Sequence, residues 1–409
     1  MTTDNTDLER WLDARHAEAV AFLAELVKVP SDTPPGDNTP HAQRAAALLS
    51  AMGFEVERHE VPAATVGAAG LRSITNLVVR QRFGAGPIVA LNAHGDVVPP
   101  GGGWTCDPYG AAVHDGRMYG RGVAVSKSDF ATYAFALAAL KAHGSALRGC
   151  VELHFTYDEE MGGELGPSWL LANGITKPDF AICAGFSYGI ITAHNGCLQL
   201  EVVLRGKSAH AAIPQSGVDA LYAAVAVLSD LYASRDALNG IRSRVPGITH
   251  PTLNVGRIEG GVHTNVVPDR VMFRVDRRIV PEEDPAQVEA DLRQTLGASA
   301  GRHPGIELAM RRLLLADPLR PMPGQLRLVD ALQRQATRVF GEPISAHGVP
   351  LYTDARHYAR AGIPVVLYGA GPRTLEASNA KRADENLLLE DLRKSTLAVA
   401  YAVADLLSS

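Results

Sequence analysis

Short apolar segments that alternate with helical ones constrain the fold of this chain more than any other feature. Residues 87–91 form a short apolar run, residues 151–157 alternate like a strand, and residues 180–183 are a third strand candidate. Residues 129–141 carry the pattern of a helix between the first two. Because strands that alternate with helices form parallel sheets, the sequence predicts an α/β fold with a mostly parallel sheet.

The middle of the chain follows a different order, β-α-β-β-α-β, which is that of the ferredoxin-like split βαβ module. We therefore expect an inserted domain at residues 196–314, within an α/β domain that is built from residues 1–195 and 315–409. The predicted strands of the insertion are 197–204, 253–259, 270–276 and 306–313, and its predicted helices are 217–232 and 284–296.

The composition excludes several classes of protein. With 46% hydrophobic residues over 409 positions, the chain has enough apolar side chains for a sizeable core. Its formal net charge is −5 and no block of like charge stands out, so we expect no nucleic-acid partner. No apolar run is long enough to span a bilayer, so we expect no membrane partner.

The cysteines and the N-terminal residues indicate a cytoplasmic protein. The four cysteines form no CxxC pair and are too sparse for a disulfide framework, so we expect reduced thiols. The N-terminal residues are polar and acidic, without the basic and apolar regions of a signal peptide.

Polar residues stand where the predicted strands end. His94 and Asp96 follow the first strand, the carboxylates at 158–160 follow the second, and Gly185 follows the third. Ligand sites in such sheets lie beyond the carboxyl ends of the strands, so we expect these residues to share one cleft. A carboxylate two residues after a histidine can orient a metal-bound imidazole. The alternatives are a structural histidine and a solvated acidic loop.

The chain contains the motifs NAHGDVVPPGGGW, YGRGVAVSKSDFATYAFALAAL, TYDEEMGGELG, GKSAHAAIPQSGVDAL, GGVHTNVVPD, VDRRIVPEED and YTDARHYARAGIPVVLYGAG. Together they resemble the zinc-dependent M20 family, which includes aminoacylases, acetylornithine and succinyl-diaminopimelate deacylases, and glutamate carboxypeptidases. The resemblance covers nearly the whole chain, in the order of the family. It implies a hydrolase of C–N bonds, a catalytic domain with a lid, and a homodimer formed through the lid.

The resemblance assigns roles to four residues at the strand ends. Members of the family hold two zinc ions, and His94 and Glu160 match one ligand of each ion. Glu159 matches the general base, and Asp96 matches the carboxylate that supports the metal-bound histidine.

Three other ligand positions of the family carry different residues here. Val125 replaces the bridging aspartate, Gly185 replaces a carboxylate, and Lys381 or Asn379 replaces a late histidine. Because a zinc site needs about three protein ligands, we expect no metal or a non-standard one, with zinc as the alternative. Side chains that could restore a ligand set are Asp129, Asp158 and Glu164.

Three functions are compatible with this pattern. The first is hydrolysis of a C–N bond with an altered or absent metal site. The second is a metal-independent lyase or isomerase that uses Glu159 as base and Lys127 or Lys381 as a cationic stabiliser. The third is a ligand-binding protein without catalysis. Both lysines could instead be solvated cations.

The segment Ser126-Lys127-Ser128 has two interpretations. A serine activated by a lysine is a known nucleophile, so the pair could attack a substrate. Serine is also a preferred cap at the start of a helix, and we favour this second interpretation.

The residues that would recognise a substrate match the family. His210 matches a lid histidine that holds the substrate carbonyl in the partner subunit, and Asn265 and Arg278 match lid residues that bind the substrate. Gly369 and Gly371 match a glycine-rich turn near the substrate carboxylate. We therefore expect a small substrate with a carboxylate, which arginine binds bidentately. Arg278 could alternatively pair with Asp276.

Overall fold

The computed structural model describes residues 5–144 and 146–408, and the bounds of their strands and helices are as follows. The strands are β1 (Val56–Glu60), β2 (Thr75–Arg82), β3 (Ile88–His94), β4 (Ala112–His114), β5 (Arg117–Tyr119), β6 (Cys150–Thr156), β7 (Phe180–Cys183), β8 (Gly189–His194), β9 (Gly196–Arg205), β10 (Thr252–Gly260), β11 (Arg270–Ile279), β12 (Glu307–Ala316), β13 (Ser345–Val349), β14 (Val365–Leu367) and β15 (Asn386–Leu388). The helices are α1 (Asn5–Ala14), α2 (His16–Val27), α3 (Thr39–Ala51), α4 (Ala63–Ala68), α5 (Lys127–His143), α6 (Pro167–Ala172), α7 (Ala220–Leu238), α8 (Pro285–Ala300), α9 (Gln325–Phe340), α10 (Ala355–Arg360) and α11 (Leu389–Leu407).

An eight-stranded sheet is the frame of the α/β part, with the strand order β1-β2-β6-β3-β7-β14-β8-β13. Its four central strands, β6, β3, β7 and β14, are parallel to their neighbours in this group. The pairs β1–β2, β2–β6 and β14–β8 are antiparallel. The predicted parallel sheet with its helices is therefore confirmed for the centre, where the strand ends carry the polar residues.

Helix α5 explains why those strand ends keep a fixed position. The helix packs against β3, β6, α2 and α11, and most of its side chains are buried. A helix that is surrounded in this way needs apolar residues on all sides, which its FATYAFALAAL segment supplies. Strand β6 is buried along its whole length, as a central strand requires.

The lid part has the predicted order β9-α7-β10-β11-α8-β12. Its four strands form an antiparallel sheet in the order β10-β11-β9-β12, and α7 and α8 pack together on it. The inward side chains of the strands and helices form one apolar core that includes Val202, Phe273, Val227 and Leu296. The ferredoxin-like arrangement predicted from the sequence is confirmed.

The chain separates into two compact units. The first comprises the described residues up to Thr192, residues Pro321–His347 and the described residues from Thr353 onward. The second comprises Ala193–Arg320 and Gly348–Tyr352. None of the helices that the structure describes has the length and apolar character needed to cross a membrane. All four cysteines are free thiols.

Candidate active site

The carboxyl ends of two parallel strands place the candidate residues side by side. His94 is the last residue of β3, and it lies opposite Thr156, the last residue of β6. The segments that follow carry Asp96 and Glu159, so both start from the same edge of the sheet. The structure thereby brings together His94, Asp96, Glu159 and its neighbour Glu160.

The carboxylate of Asp96 organises this cluster. Its two oxygens accept hydrogen bonds from the backbone N–H groups of Glu159 (3.3 Å) and Glu160 (3.0 Å). The same carboxylate lies 3.4 Å from Nδ1 of His94, which also contacts the Asp96 carbonyl at 3.0 Å. Asp96 therefore holds both the histidine and the acidic turn.

His94 is a cation in this arrangement. Burial disfavours the imidazolium, but the carboxylates of Glu159 and Asp96 outweigh burial and raise the pKa of His94 to about 10. Nε2 of His94 lies 3.8 Å from a carboxylate oxygen of Glu159. A protonated imidazole has no lone pair for a metal, so a metal would have to displace the proton first.

Lys381 binds Glu160 directly. Its Nζ lies 2.6 Å from Oε2 of Glu160, and 48% of the lysine side chain is exposed. Burial lowers the pKa of Lys381, but the carboxylates of Glu160 and Glu159 outweigh burial and raise it. Burial also raises the pKa of Glu160, to about 7, although Lys381 opposes this. Lys381 is thus an ammonium ion next to the last acidic residue of the cluster.

The loop that presents Lys381 has an unfavourable backbone conformation. Asn379, Lys381 and Asp384 have φ angles of 49°, 61° and 56°, in the left-handed region that only glycine adopts without cost. Glu385 anchors the loop, because its carboxylate accepts a 2.5 Å hydrogen bond from the guanidinium of Arg121. Such conformations persist where the surroundings enforce them, often at functional sites.

The positions that would hold zinc in the family do not supply ligands here. Val125 has no side-chain donor, and the side-chain nitrogen of Asn379 donates to the Asp384 carbonyl at 3.3 Å. A Cβ atom on Gly185 would lie 2.6 Å from the backbone nitrogen of Tyr368, so no side chain fits there. Among the described residues, no group of three or more His, Cys, Asp or Glu side chains could hold a metal ion. The residues present do not fit a zinc pair.

The substitute ligands suggested by the sequence have other partners. Asp129 accepts hydrogen bonds from the backbone N–H groups of Ala370 (2.6 Å) and Gly185 (3.2 Å). Asp158 accepts one from the N–H of Leu165 at 2.6 Å. Glu164 accepts one from the hydroxyl of Ser168 at 2.9 Å.

The structure does not bring Lys127 to this cluster. Its side chain is fully buried, and its ammonium group donates to the carbonyls of Leu26 (3.2 Å) and Val29 (3.1 Å). Burial lowers the pKa of Lys127 to about 7. Lys127 is therefore neither a solvated cation nor a neighbour of Glu159, because α5 directs it toward the end of α2.

Ser126 is the N-cap residue of α5, one of the two predicted positions, but its side chain makes no capping hydrogen bond. The hydroxyl of Ser126 donates to the carbonyl of His94 at 2.9 Å and accepts from its N–H at 3.1 Å. The hydroxyl of Ser128 is buried without a hydrogen-bond partner among the described residues. Ser126 thus fixes the backbone of His94, and it forms no pair with the lysine ammonium.

A buried carboxyl group at the start of α10 was missed from the sequence. Asp354 is 3% exposed, and neither of its carboxyl oxygens has a hydrogen-bond partner among the described residues. Burial, with the charge of Glu159 as the next cause, raises the pKa of Asp354 to about 8. The buried residues Arg356 and His357 follow it. The one sequence signal was a group of ionisable residues directly before an apolar strand.

The glycine-rich turn is occupied by the protein itself. The N–H of Gly371 donates to the carbonyl of Gly185 at 2.9 Å. A Cβ atom on Gly369 would lie 2.1 Å from Oδ1 of Asp129, so this glycine lets the carboxylate approach the turn. The contact of Gly369 and Gly371 with a substrate carboxylate stays a prediction, and the structure shows that the carboxylate of Asp129 lies against this turn.

The lid residues are placed by a short pairing of two segments. His210 and Val266 form an antiparallel bridge, and the N–H of Ala211 donates to the carbonyl of Asn265 at 2.9 Å. His210 and Asn265 are both exposed and close in space. Arg278 is partly buried on β11 and pairs with Asp276 at 2.8 Å, as the alternative interpretation predicted.

Comparisons with known sequences identify relatives along most of the chain. The profile of peptidase family M20/M25/M40 matches residues 90–405. The chain is 30% identical over 400 residues to an acetylornithine deacetylase of Myxococcus xanthus, covering 94% of this chain and 96% of that protein. It is 32% identical over 272 residues to a succinyl-diaminopimelate desuccinylase of Gluconacetobacter diazotrophicus, covering 64% of this chain and 67% of that protein.

Solved structures share the fold at low sequence identity. A metallo-carboxypeptidase of the M20 family from Sulfolobus solfataricus superposes with a TM-score of 0.78 at 20% identity, over 96% of this chain and 99% of that one. Human carnosine dipeptidase 1 superposes with a TM-score of 0.77 at 18% identity, over 99% of both chains. The chain therefore belongs to peptidase family M20/M25/M40 and is an enzyme of the hydrolase class.

Proposed function

We propose that this protein hydrolyses an amide-type C–N bond in a small, carboxylate-bearing acyl compound, with Glu159 as general base and the Lys381 ammonium in place of a metal ion. The observation that carries the proposal is the 2.6 Å contact between Lys381 and Glu160. The late metal ligand of the family matches Lys381, with Asn379 as the alternative, and Glu160 matches the other ligand of the same ion. A cation thus remains at this point of the cleft, although a metal ligand has been lost.

The proton transfers can be assigned to this cluster. Glu159 removes a proton from a water molecule, and the resulting hydroxide attacks the acyl carbon of the substrate. The cations of Lys381 and His94 stabilise the negative charge that develops on the carbonyl oxygen. Glu159 then returns the proton to the departing amine, so that no net proton is gained or lost.

The rate enhancement available without a metal ion restricts how stable the bond in the substrate can be. Zinc lowers the pKa of its water from about 15.7 to about 7, which is equivalent to ~12 kcal/mol. A general base contributes ~10²–10⁴-fold, and one stabilising donor for the oxyanion contributes ~10²–10³-fold. Together these amount to roughly 6–10 kcal/mol at ~1.4 kcal/mol per factor of ten. We therefore expect a substrate that is more reactive than an ordinary amide.

The lid supplies substrate recognition in this proposal. Arg278 binds the substrate carboxylate in exchange for Asp276, while His210 and Asn265 contact the acyl carbonyl, as the resemblance to the family implies. Dimerisation through the lid belongs to the same proposal, since in the family His210 acts in the partner subunit.

A variant pair tests the role of the base. Turnover is measured on N-acetylornithine, N-succinyl-diaminopimelate and a carboxylate-bearing N-acyl anilide with a good leaving group. We expect Glu159→Gln to lower kcat by ~10²–10⁴-fold. Glu55→Gln is the matched control, because Glu55 is an exposed carboxylate outside the cluster. Equal turnover of wild type and Glu159→Gln would exclude the proposed base.

The same base and cation also suit proton abstraction next to a carbonyl, which is the second candidate. Lys381 favours it, because an ammonium ion stabilises an enolate without a metal. Incubation in D₂O separates the two reactions. Hydrolysis releases a free amine, whereas a lyase or isomerase exchanges carbon-bound hydrogen for deuterium before or without cleavage of the C–N bond.

A further inference from the structure

We propose that the start of α10 positions the general base, with His357 and Arg356 holding the loop 158–163 that presents Glu159 and with Asp354 lying beneath that loop. This inference rests on the proposed role of Glu159. It assigns to three buried residues a function that their place in the sequence did not indicate.

The contact that fixes the loop is made by one carbonyl group. Gly162 is three residues after Glu159, and its carbonyl oxygen lies 3.0 Å from Nε2 of His357. The guanidinium of Arg356 donates to the same oxygen. Since a carbonyl only accepts, Nε2 of His357 must carry a proton in this contact. Two donors on one carbonyl leave the loop little freedom to rotate at this point.

Gly163, the next residue, lies so close to α10 that the loop has a fixed position there. Gly163 has a φ of +68°, and a Cβ atom on it would lie 2.1 Å from Oδ1 of Asp354 and 2.7 Å from Nε2 of His357. The backbone of the loop therefore lies directly on these two side chains. Any side chain at position 163 would push the loop, and Glu159 with it, away from α10.

The loop is also held from the opposite end. The carboxylate of Asp96 accepts from the N–H groups of Glu159 and Glu160, at the end of β3. Glu159 is thus placed between two anchors, one at its own N–H and one at the carbonyl of Gly162. The distance from His94 Nε2 to Glu159, 3.8 Å, depends on both.

Packing alone does not account for the polar residues of α10. Arg356 and His357 are each 2% exposed, and Asp354 buries two carboxyl oxygens without a hydrogen-bond partner among the described residues. Burying such groups costs free energy, and a natural protein retains them where they have a specific role. Arg356 and His357 both contact the loop that bears the base, and Arg356 also donates to the carbonyl of Thr353 at 2.9 Å.

Helix α10 is itself tied to the sheet. The hydroxyl of Tyr358 lies 2.8 Å from Nδ1 of His154 on β6, and Nε2 of His154 lies 3.0 Å from Glu152. The helix therefore has a fixed point that does not involve the loop. Tyr358→Phe removes this hydrogen bond and leaves the residues at 354, 356 and 357 unchanged, so it is a matched control on the same helix.

Hydrogen–deuterium exchange tests the contact between α10 and the loop 158–163 without any substrate. In the full-length protein, we expect His357→Leu to raise amide exchange in residues 157–166 by about tenfold, the effect of one lost buried hydrogen bond. His357→Gln, which keeps an N–H donor, restores protection, and Tyr358→Phe leaves this segment unchanged. Wild-type exchange of residues 157–166 in folded His357→Leu would overturn the proposal, as would failure of His357→Gln to restore protection.

Steady-state kinetics with a substrate that the wild type hydrolyses then test whether the contact with α10 positions Glu159. We expect kcat to fall about 10²-fold in His357→Leu with little change in KM, because a misplaced base affects the chemical step and not substrate binding. His357→Gln recovers most of kcat. A rise in KM with unchanged kcat would contradict a positioning role, while absence of turnover in the wild type would contradict only the proposed hydrolysis.

Discussion

Val125 and Lys381 occupy two positions where the resemblance to the M20 family predicts metal ligands. Valine has no donor atom, and the lysine ammonium pairs with Glu160. The remaining matches, His94 and Glu160, are one ligand from each metal of the family. At the scale of single residues, we therefore propose that the Lys381 ammonium takes the place of a metal ion in this cleft.

This exchange predicts how a metal site could be regained. The double variant Val125→Asp with Lys381→His adds a carboxylate and an imidazole near Glu160, and three protein ligands with a water molecule are enough for zinc. We expect it to bind about one zinc ion per chain in calorimetric titration, whereas the wild type binds none at these residues. Gly185→Glu should not help, because a Cβ atom there meets the backbone of Tyr368 at 2.6 Å. Equal zinc affinity in wild type and double variant would contradict this account.

Lys127 gives a pH-dependent contribution to stability. Burial lowers its pKa to about 7 from the ordinary value of 10.5, so between these values the unfolded chain binds the proton and the folded chain does not. The free energy of unfolding due to Lys127 therefore rises with pH across this range.

The measurement for Lys127 is a comparison with Lys127→Met in urea unfolding at several pH values. We expect the wild-type free energy of unfolding, minus that of the variant, to increase by about 4 kcal/mol between pH 7 and pH 10. A difference that stays constant over this range would show that the lysine is ionised to the same extent in both states.

At the scale of elements, periodicity in the sequence predicted the central strands and helices but not the contacts that individual side chains make. The strand ends at His94 and Glu159 were correctly expected to meet, because parallel neighbours share an edge. Ser126 was expected to cap α5, yet its hydroxyl lies on the backbone of His94. His357 had no detectable role, since its partner Gly162 is 195 residues away in sequence. Contacts of that range follow from tertiary packing and not from local pattern.

The loop after Glu159 allows a matched pair of glycine variants. Gly163→Ala meets both a positive φ of 68° and the Asp354 carboxyl group, so we expect it to cost at least about 2 kcal/mol of stability. Gly341→Ala has a similar φ of 74° but no atom within 4 Å, so it should cost only about 1 kcal/mol. Chemical denaturation measures both. Equal costs would mean that the loop does not lie on α10 as closely as described.

At the scale of the whole molecule, the order of strands and helices predicted the ferredoxin-like lid, and the resemblance predicted the family. It also predicts a homodimer, and the lid has a surface suited to one. Tyr222 and Val225 on α7 are 71% and 57% exposed, and Ile258 on the edge strand β10 is exposed as well. An exposed apolar face beside an unpaired strand edge is typical of an interface between subunits.

Size-exclusion chromatography with light scattering tests the dimer. We expect the wild type to elute as a dimer and the double variant Tyr222→Glu with Val225→Glu to elute as a folded monomer, because two charges would be buried in the interface. Val113→Glu, an exposed apolar position on β4, serves as the control and should stay dimeric. A dimer that survives the double variant would place the interface elsewhere.

Metal content measured together with turnover tests most directly whether the Lys381 ammonium replaces a metal ion. Protein purified without chelator is analysed by inductively coupled plasma mass spectrometry, then assayed before and after dialysis against EDTA. We predict a zinc content far below one ion per chain and the same turnover before and after dialysis. Two zinc ions per chain, with turnover lost on dialysis and regained on adding zinc, would contradict it.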